Sequence, residues 1–193
     1  IYYQRGMKRI CIFSLAYEPL IGGAEIATHE IARRMTASGW ECHVVTARFL
    51  RKLPKHESIE GVVVHRVGPA SFARTLPATM RPVLFCIKIL YPFFAFFRAV
   101  RLHRRHRFAA TWSIMAAYAG VAAGLVSLRF PTLPLVLTVQ EGDEEEHLLR
   151  YTFGSRTLYR MVVRPWHRLP FYHADHVTAI STYLAERARR VAN

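Results

Sequence analysis

Three short stretches hold residues whose types and spacing could do chemistry. In Pro19-Leu20-Ile21-Gly22-Gly23-Ala24-Glu25, two glycines stand directly before a helical pattern. Glycines there let the backbone approach an anion closely, and the free amides of a helix start point toward it. In Thr138-Val139-Gln140-Glu141-Gly142-Asp143, a side-chain amide and two carboxylates follow a strand-like run. In Ala174-Asp175-His176-Val177-Thr178-Ala179-Ile180-Ser181, a strand feeds a helix through a hydroxyl. Each stretch also has a plain structural reading: a turn at Gly22-Gly23, and helix caps at Asp143 and Ser181. There is no Gly-x-Gly-x-x-Gly, no Walker loop, no Gly-x-Ser-x-Gly elbow, and no His-Glu-x-x-His or Cys-x-x-Cys. The pairs His103/His106 and His173/His176 lack supporting ligands, so no metal site is expected.

The elements that must position these residues follow from periodicity. Lys8–Leu15 reads as a short buried strand, followed by a helix with Ala24, Ala27, Ile31 and Met35 on one face and an end at Ser38-Gly39. Strands are expected at Glu41–Thr46 and, rich in β-branched valine, at Gly61–Val67. A largely helical stretch runs from about Pro77 to His106, with breaks conceivable at Pro82 and Pro92. Ala109–Met115 reads as a strand leading into a small-residue helix, Tyr118–Leu128. The 21 uncharged residues Phe108–Leu128 are long enough to cross a bilayer, but Ala, Gly and two serines argue for the strand-helix division. Leu135–Gln140 and His176–Ile180 complete the strands, and Tyr183–Val191 the helices. Strands alternating with helices imply βαβ units and a parallel sheet covered on both faces. The expected fold is therefore α/β: a doubly wound, mainly parallel Rossmann-like sheet in one domain over residues 7–193, with an aromatic and Arg-rich helical insertion at about 77–107. Residues 1–6 read as a leader or non-native extension, because Met7 stands directly before the first strand.

Charge and composition narrow the partners. The 193 residues carry 27 Lys+Arg against 13 Asp+Glu, a net charge of +14, with 52% hydrophobic residues. That apolar share excludes a disordered basic arm. The cations are spread over both halves of the chain, and no nucleic-acid motif accompanies them, so nucleic-acid binding is not expected. Three scattered cysteines suit a reducing compartment rather than a disulfide framework. The segment Pro82–Phe97, with Phe93 and Phe94, runs directly into Arg98, Arg101, Arg104, Arg105 and Arg107. Aromatics beside arginines suit an interfacial helix on anionic lipid. They equally suit a helix packed on a sheet that ends in a solvated arginine face. Arg156, Arg160, Arg164 and Arg168 would form a further stripe if their helix continues through Pro165.

In order and spacing, Arg9-Ile10-Cys11-Ile12-Phe13, Gly22-Gly23-Ala24-Glu25, Leu137-Thr138-Val139-Gln140-Glu141-Gly142-Asp143 and Ala174 to Ser181 resemble the N-terminal, acceptor-side domain of family 4 glycosyltransferases of the GT-B fold. The resemblance implies retaining, metal-independent transfer of a sugar from a nucleotide-sugar donor, in a cleft between two Rossmann-like lobes. By that resemblance Gly22 and Gly23, with Glu25 following, form the loop against donor diphosphate and acceptor. Gln140 falls where many members carry a histidine near the transferred sugar, and it can both donate and accept hydrogen bonds. Glu141, Asp143 and Ser181 become acceptor-cleft candidates. Phe93, Phe94, Arg101, Arg104 and Arg105 are candidates for membrane or phosphate contact. The family's donor-side glutamates, two with seven residues between them, have no counterpart in the sequence. The expectation is an acceptor-binding lobe that needs a C-terminal donor-binding domain and does not transfer sugar alone. Its expected partners are a nucleotide sugar and a glycan, lipid-linked or other small acceptor, on the cytoplasmic side, at the inner face of the membrane. The alternative is a non-catalytic Rossmann-like module that docks on anionic membrane surfaces.

Overall fold

The computed structural model describes residues 7–20, 22–72, 81–140 and 155–192. The proposed leader, the first residues of the insertion, Glu141 and Asp143 lie outside them. Seven strands form one sheet: β1 (Lys8–Phe13), β2 (Trp40–Ala47), β3 (His56–Ile59), β4 (Val62–Val67), β5 (Ala110–Ile114), β6 (Leu135–Val139) and β7 (His176–Ala179). Their spatial order is β3-β4-β2-β1-β5-β6-β7. All pairs are parallel except β3 with β4. The doubly wound α/β expectation therefore holds. The chain winds outward from β1 through β2 to β4, returns across the sheet, and winds outward again through β5, β6 and β7. The order reverses between β1 and β5, and that reversal fixes where a ligand crevice opens.

The helices are α1 (Gly23–Ala37), α2 (Arg81–His106), α3 (Tyr118–Arg129), α4 (Arg164–His173) and α5 (Thr182–Ala192). A three-residue turn, Arg156–Leu158, and a π-helical segment, Tyr159–Val163, lead into α4. One core lies between α1 and the sheet face made by Ile10, Ile12, Val44, Val62, Val64 and Trp112. A second lies under α2 and α3, around Phe13, Val45, Ile87, Tyr91, Ala122 and Leu135, and a third gathers Leu137, Val139, Phe171, Leu184 and Ala188 from β6, α4 and α5.

Three local outcomes differ from the sequence reading. On α1 the buried residues are Thr28 and Ala32, while Ile31 is 42% exposed. The face is rotated because small side chains let the helix sit close to a sheet surface already filled by branched residues and Trp112. The unanticipated β3 pairs with β4 through Glu60-Gly61, both with positive φ (48° and 84°). That is the backbone a two-residue hairpin with matching twist requires. Neither Pro82 nor Pro92 breaks α2, which is continuous over 26 residues. Pro82 stands in the first turn, where a missing N–H costs little, and Pro92 is carried inside the helix, next to Tyr91 in the stripe that faces the sheet.

The uncharged run Phe108–Leu128 divides into β5 and α3, as its small residues suggested. Gly120 and Gly124 lie one turn apart on α3. A Cβ at Gly124 would come within 2.8 Å of Leu169 Cγ, and one at Gly120 within 3.0 Å of Pro170 Cγ. The glycines are where α4 docks.

Helix α2 is locked to the sheet by two polar devices. The fully buried Tyr91 hydroxyl lies 2.8 Å from the carbonyl of Val45, to which it donates, and 3.2 Å from that of Ser14. Farther along, Arg98 Nη2 lies 3.0 Å from His65 Nδ1, His65 Nε2 lies 2.9 Å from His43 Nδ1, and His43 Nε2 lies 2.8 Å from Glu41. An arginine can only donate. His65 therefore accepts at Nδ1 and donates from Nε2, His43 does the same, and the chain ends on the Glu41 carboxylate. Arg9 holds the other oxygen of that carboxylate at 2.5 Å. Burial, then the Arg98 charge and the neighbouring His43, His56 and His106, push the His65 pKa down to about 3.

Two predictions follow from this packing. Gly124→Val should lower unfolding free energy by about 2–3 kcal/mol through overpacking against Leu169, as read by urea denaturation. The unfolded chain takes up a proton at His65 below its ordinary pKa of 6.5 and the folded chain does not. Stability is thus retained above that value and lost as pH falls toward about 3, with His65 contributing a slope of about 1.4 kcal/mol per pH unit. His65→Gln should flatten that slope in denaturation series taken across the acid range.

Candidate functional site

Gly22, Gly23, Glu25, Gln140 and Ser181 belong to one edge, the carboxyl ends of the parallel strands. β1 continues into the loop carrying Gly22 and Gly23, β6 ends at Val139 before Gln140, and β7 ends before Ser181. β1 and β6 flank β5, so their ends stand roughly 10 Å apart at ordinary strand spacing. The strand order reverses between β1 and β5, the place where doubly wound folds open a ligand crevice.

The β1–α1 loop is shaped before any ligand arrives. Ser14 Oγ donates to the Ala16 carbonyl at 2.7 Å, and Leu20 N–H to the Tyr17 carbonyl at 3.1 Å. The Glu18–Pro19 peptide is cis. Arg66, on β4, has a side chain only 1% exposed. It donates to the Glu18 carbonyl, to Glu57 on β3, and to the Pro54 carbonyl at 3.3 Å. One buried guanidinium thus ties the loop to two neighbouring segments, which its fork of donors suits. Sequence reasoning missed it, although an arginine in a valine-rich central strand was the available signal.

At the helix start, Gly22 N–H donates to Glu25 Oε2 at 2.9 Å, and a Cβ on Gly22 would meet the same oxygen at 2.9 Å. Glu25 is therefore the capping carboxylate of α1, placed where an external anion would otherwise sit. Gly23 is exposed, and the space where its Cβ would be is open. Gln140 is half-buried at the end of β6. Ser181 caps α5: its Oγ accepts from Leu184 N–H at 3.2 Å. Asp175 is spent at the opposite edge, accepting from Leu135 N–H at 2.8 Å to close β7 onto β6.

A further feature carries no sequence signal. Met115, directly after β5, has φ of 73°, a left-handed conformation that costs about 1–2 kcal/mol for a residue with a side chain. It is held there by its N–H on the Thr138 carbonyl at 2.9 Å and by Ser113 Oγ on its own carbonyl at 3.1 Å. Non-glycine strain of this kind concentrates at functional sites, and here it lies at the strand reversal.

Phe93, Phe94, Arg101, Arg104 and Arg105 are not in this crevice. They lie on the outer face of α2. Glu41, His43 and His106 bring ligand-type atoms within 4.8 Å of one another. They stand at the amino edge of the sheet, where the relay from Arg98 and the Arg9 pair already occupy Glu41 and His43.

The glycosyl transferase 4-like domain model matches residues 22–193. No curated protein sequence matches the chain. Among solved structures, sucrose-phosphate synthase from Thermosynechococcus elongatus superposes with a TM-score of 0.59 at 16% identity, over 95% of this chain and 45% of that one. A shorter chain of the same synthase gives 0.59 at 18% identity, over 95% of this chain and 82% of that one. At these identities the likeness is one of fold. The chain spans less than half the length of the full synthase.

Replacing Arg66 by Met should cost about 3 kcal/mol of stability, because it strands the Glu57 carboxylate and two carbonyls. Glu57→Gln should cost about 1 kcal/mol, since the amide oxygen still accepts. Paired urea titrations check the order of the two.

Proposed function

Because the chain belongs to the glycosyl transferase 4-like family, we propose that it is the acceptor-holding lobe of a retaining GT-B transferase that draws its sugar from a nucleotide-sugar donor. The observation that carries this reading is the Gly22-Gly23 loop entering α1 at the edge where strand order reverses, with Gln140 on the same edge. In the transfer, the bond between the anomeric carbon and the donor phosphate oxygen breaks. The acceptor hydroxyl forms the new bond on the same face of the sugar, and its proton leaves with the nucleoside diphosphate. Gly23 admits the diphosphate to the helix-start amides. Glu25 must swing off the Gly22 N–H before a phosphate oxygen can take it. Gln140 hydrogen-bonds the sugar or the acceptor, with Glu141, Asp143 and Ser181 completing the acceptor side. The reaction is proposed as metal-independent, the diphosphate charge being met by these amides and by cations of a second, donor-binding lobe. That such a lobe is required agrees with the span of 45% of the full synthase.

The substrates proposed are a nucleotide sugar and a glycan, lipid-linked or other small acceptor, in glycan biosynthesis at the cytoplasmic, inner face of the membrane. A second reading, a non-catalytic module docked on an anionic membrane surface, is favoured by the exposed aromatic face of α2.

Joined to a donor-binding lobe of the same family, the chain should release nucleoside diphosphate from one member of a nucleotide-sugar panel in the presence of acceptor. Gln140→Ala should lower kcat by roughly 10²–10³, the scale of one lost transition-state hydrogen bond. Gly23→Asp should abolish turnover by placing a like charge against the diphosphate. Absence of turnover across the whole panel would leave the docking module as the standing alternative.

A further inference from the structure

The outer surface of α2 is built the wrong way round for a water-facing helix. Its inner stripe, Ile87, Tyr91, Ala95, Ala99 and Leu102, is buried on the sheet. Its outward positions Ile89, Leu90, Phe93, Phe94 and Phe97 are nevertheless apolar and exposed, Phe97 by 68%. The outward face turns basic only in the last two turns, at Arg101, Arg104 and Arg105. The most apolar window of this helix is only 28% buried, which a helix serving the core alone would not show.

The patch does not end with α2. Phe93 packs edge-on against Trp166 of α4 at 6.0 Å between ring centres. Trp166 and Met161 are themselves exposed. Between them the two helical segments, 81–106 and 156–173, carry six and four Lys or Arg residues and no Asp or Glu. A surface that pairs aromatics with cations and excludes acids is complementary to a sheet of negative headgroups over hydrocarbon. An acid-bearing protein groove would match the charge but not the apolar outer face that runs from Ile89 to Phe97, about two and a half helical turns.

From this we propose that the joined outer faces of α2 and α4 lie on an anionic bilayer, with Phe93, Phe94, Phe97 and Trp166 in the headgroup–acyl boundary and the arginines on lipid phosphates. The helix lies on the membrane and does not cross it, because its inner stripe is packed on β1 and β2 and Tyr91 and Arg98 are hydrogen-bonded into the sheet. The carboxyl edge is then held beside the lipid: Phe94 packs within 3.5 Å of the Cβ position of Gly68, just past the end of β4, and Tyr91 reaches Ser14 just past β1. Resting on the transferase reading, this names the acceptor as one carried by lipid and reached at the bilayer surface. The docking itself does not depend on that reading.

Vesicle sedimentation of the whole chain tests it, with neutral phosphatidylcholine vesicles against vesicles holding about a third phosphatidylglycerol. Binding is expected to the anionic vesicles alone and to weaken with salt. Substituting Arg101, Arg104 and Arg105 together by Gln should weaken it roughly 100-fold, at the usual worth of a cation near an anionic surface. Phe97→Ser should weaken binding about tenfold at unchanged melting temperature, its side chain being 68% exposed, and adding Phe93→Ser should abolish binding. Equal binding to both vesicle types, or none to either, overturns the proposal. So does self-association in solution that the Phe pair abolishes while vesicle binding is absent, which would assign the face to a second copy. Turnover on a soluble acceptor without vesicle binding would leave the transferase reading standing and remove this one.

Discussion

The return of the chain from β4 to β5 is the constraint on which the architecture rests. Helix α2 must recross the sheet and deliver β5 against the far side of β1. Its placement decides that the strand order reverses beside β1 and so decides where the crevice opens. Apolar packing alone would let such a helix slide. The Tyr91 hydroxyl on the Val45 carbonyl fixes its height, and the Arg98 end of the histidine relay fixes its rotation. With both in place, one side of the helix is committed to the sheet, and whatever the opposite side carries must face outward.

That commitment connects the two ends of the molecule. At the carboxyl edge Met115 is held left-handed and the β1–α1 loop is tied down by a buried arginine. At the amino edge the relay closes on Glu41 and Arg9. Both edges are polar and most of their buried groups are paired, with Arg98 Nε buried and without a partner among the described residues; at the carboxyl edge the space beside Gly23 is open.

Much of this was legible in the residues. Valine-rich strands alternating with helical patterns sufficed for the doubly wound sheet, and the Gly22-Gly23, Gln140 and Ser181 stretches, each read between a strand and a helix, lie at its carboxyl edge. What stayed hidden was three-dimensional. Burial on α1 depended on how full the opposing sheet surface was: Ala24 and Met35 pack on the core as periodicity suggested, while Thr28 and Ala32 are buried where Ile31 was expected. β3 was masked because its pattern is short and polar, His-Glu-Ser-Ile, and only Glu60-Gly61 marked the hairpin. The relay joins residues from three strands and a helix with no shared spacing, and Met115 has no composition that announces a positive φ. Glu25, a site candidate by resemblance, also caps α1, because both roles call for a carboxylate at the same place.

The π-helical segment at Tyr159–Val163 has a meaning beyond its local geometry. A π turn accommodates one residue more than an α turn, so it acts as an insertion absorbed without breaking the helix. Its effect is to advance everything downstream around the axis. Without the extra residue, Trp166 would be displaced by about 100° and would lose Phe93, while Leu169 and Pro170 would turn away from the gap left by Gly120 and Gly124. The wide turn therefore works as a phase adjuster: it lets one continuous segment place its aromatic on the outer surface and its interhelical wedge on α3 at the same time.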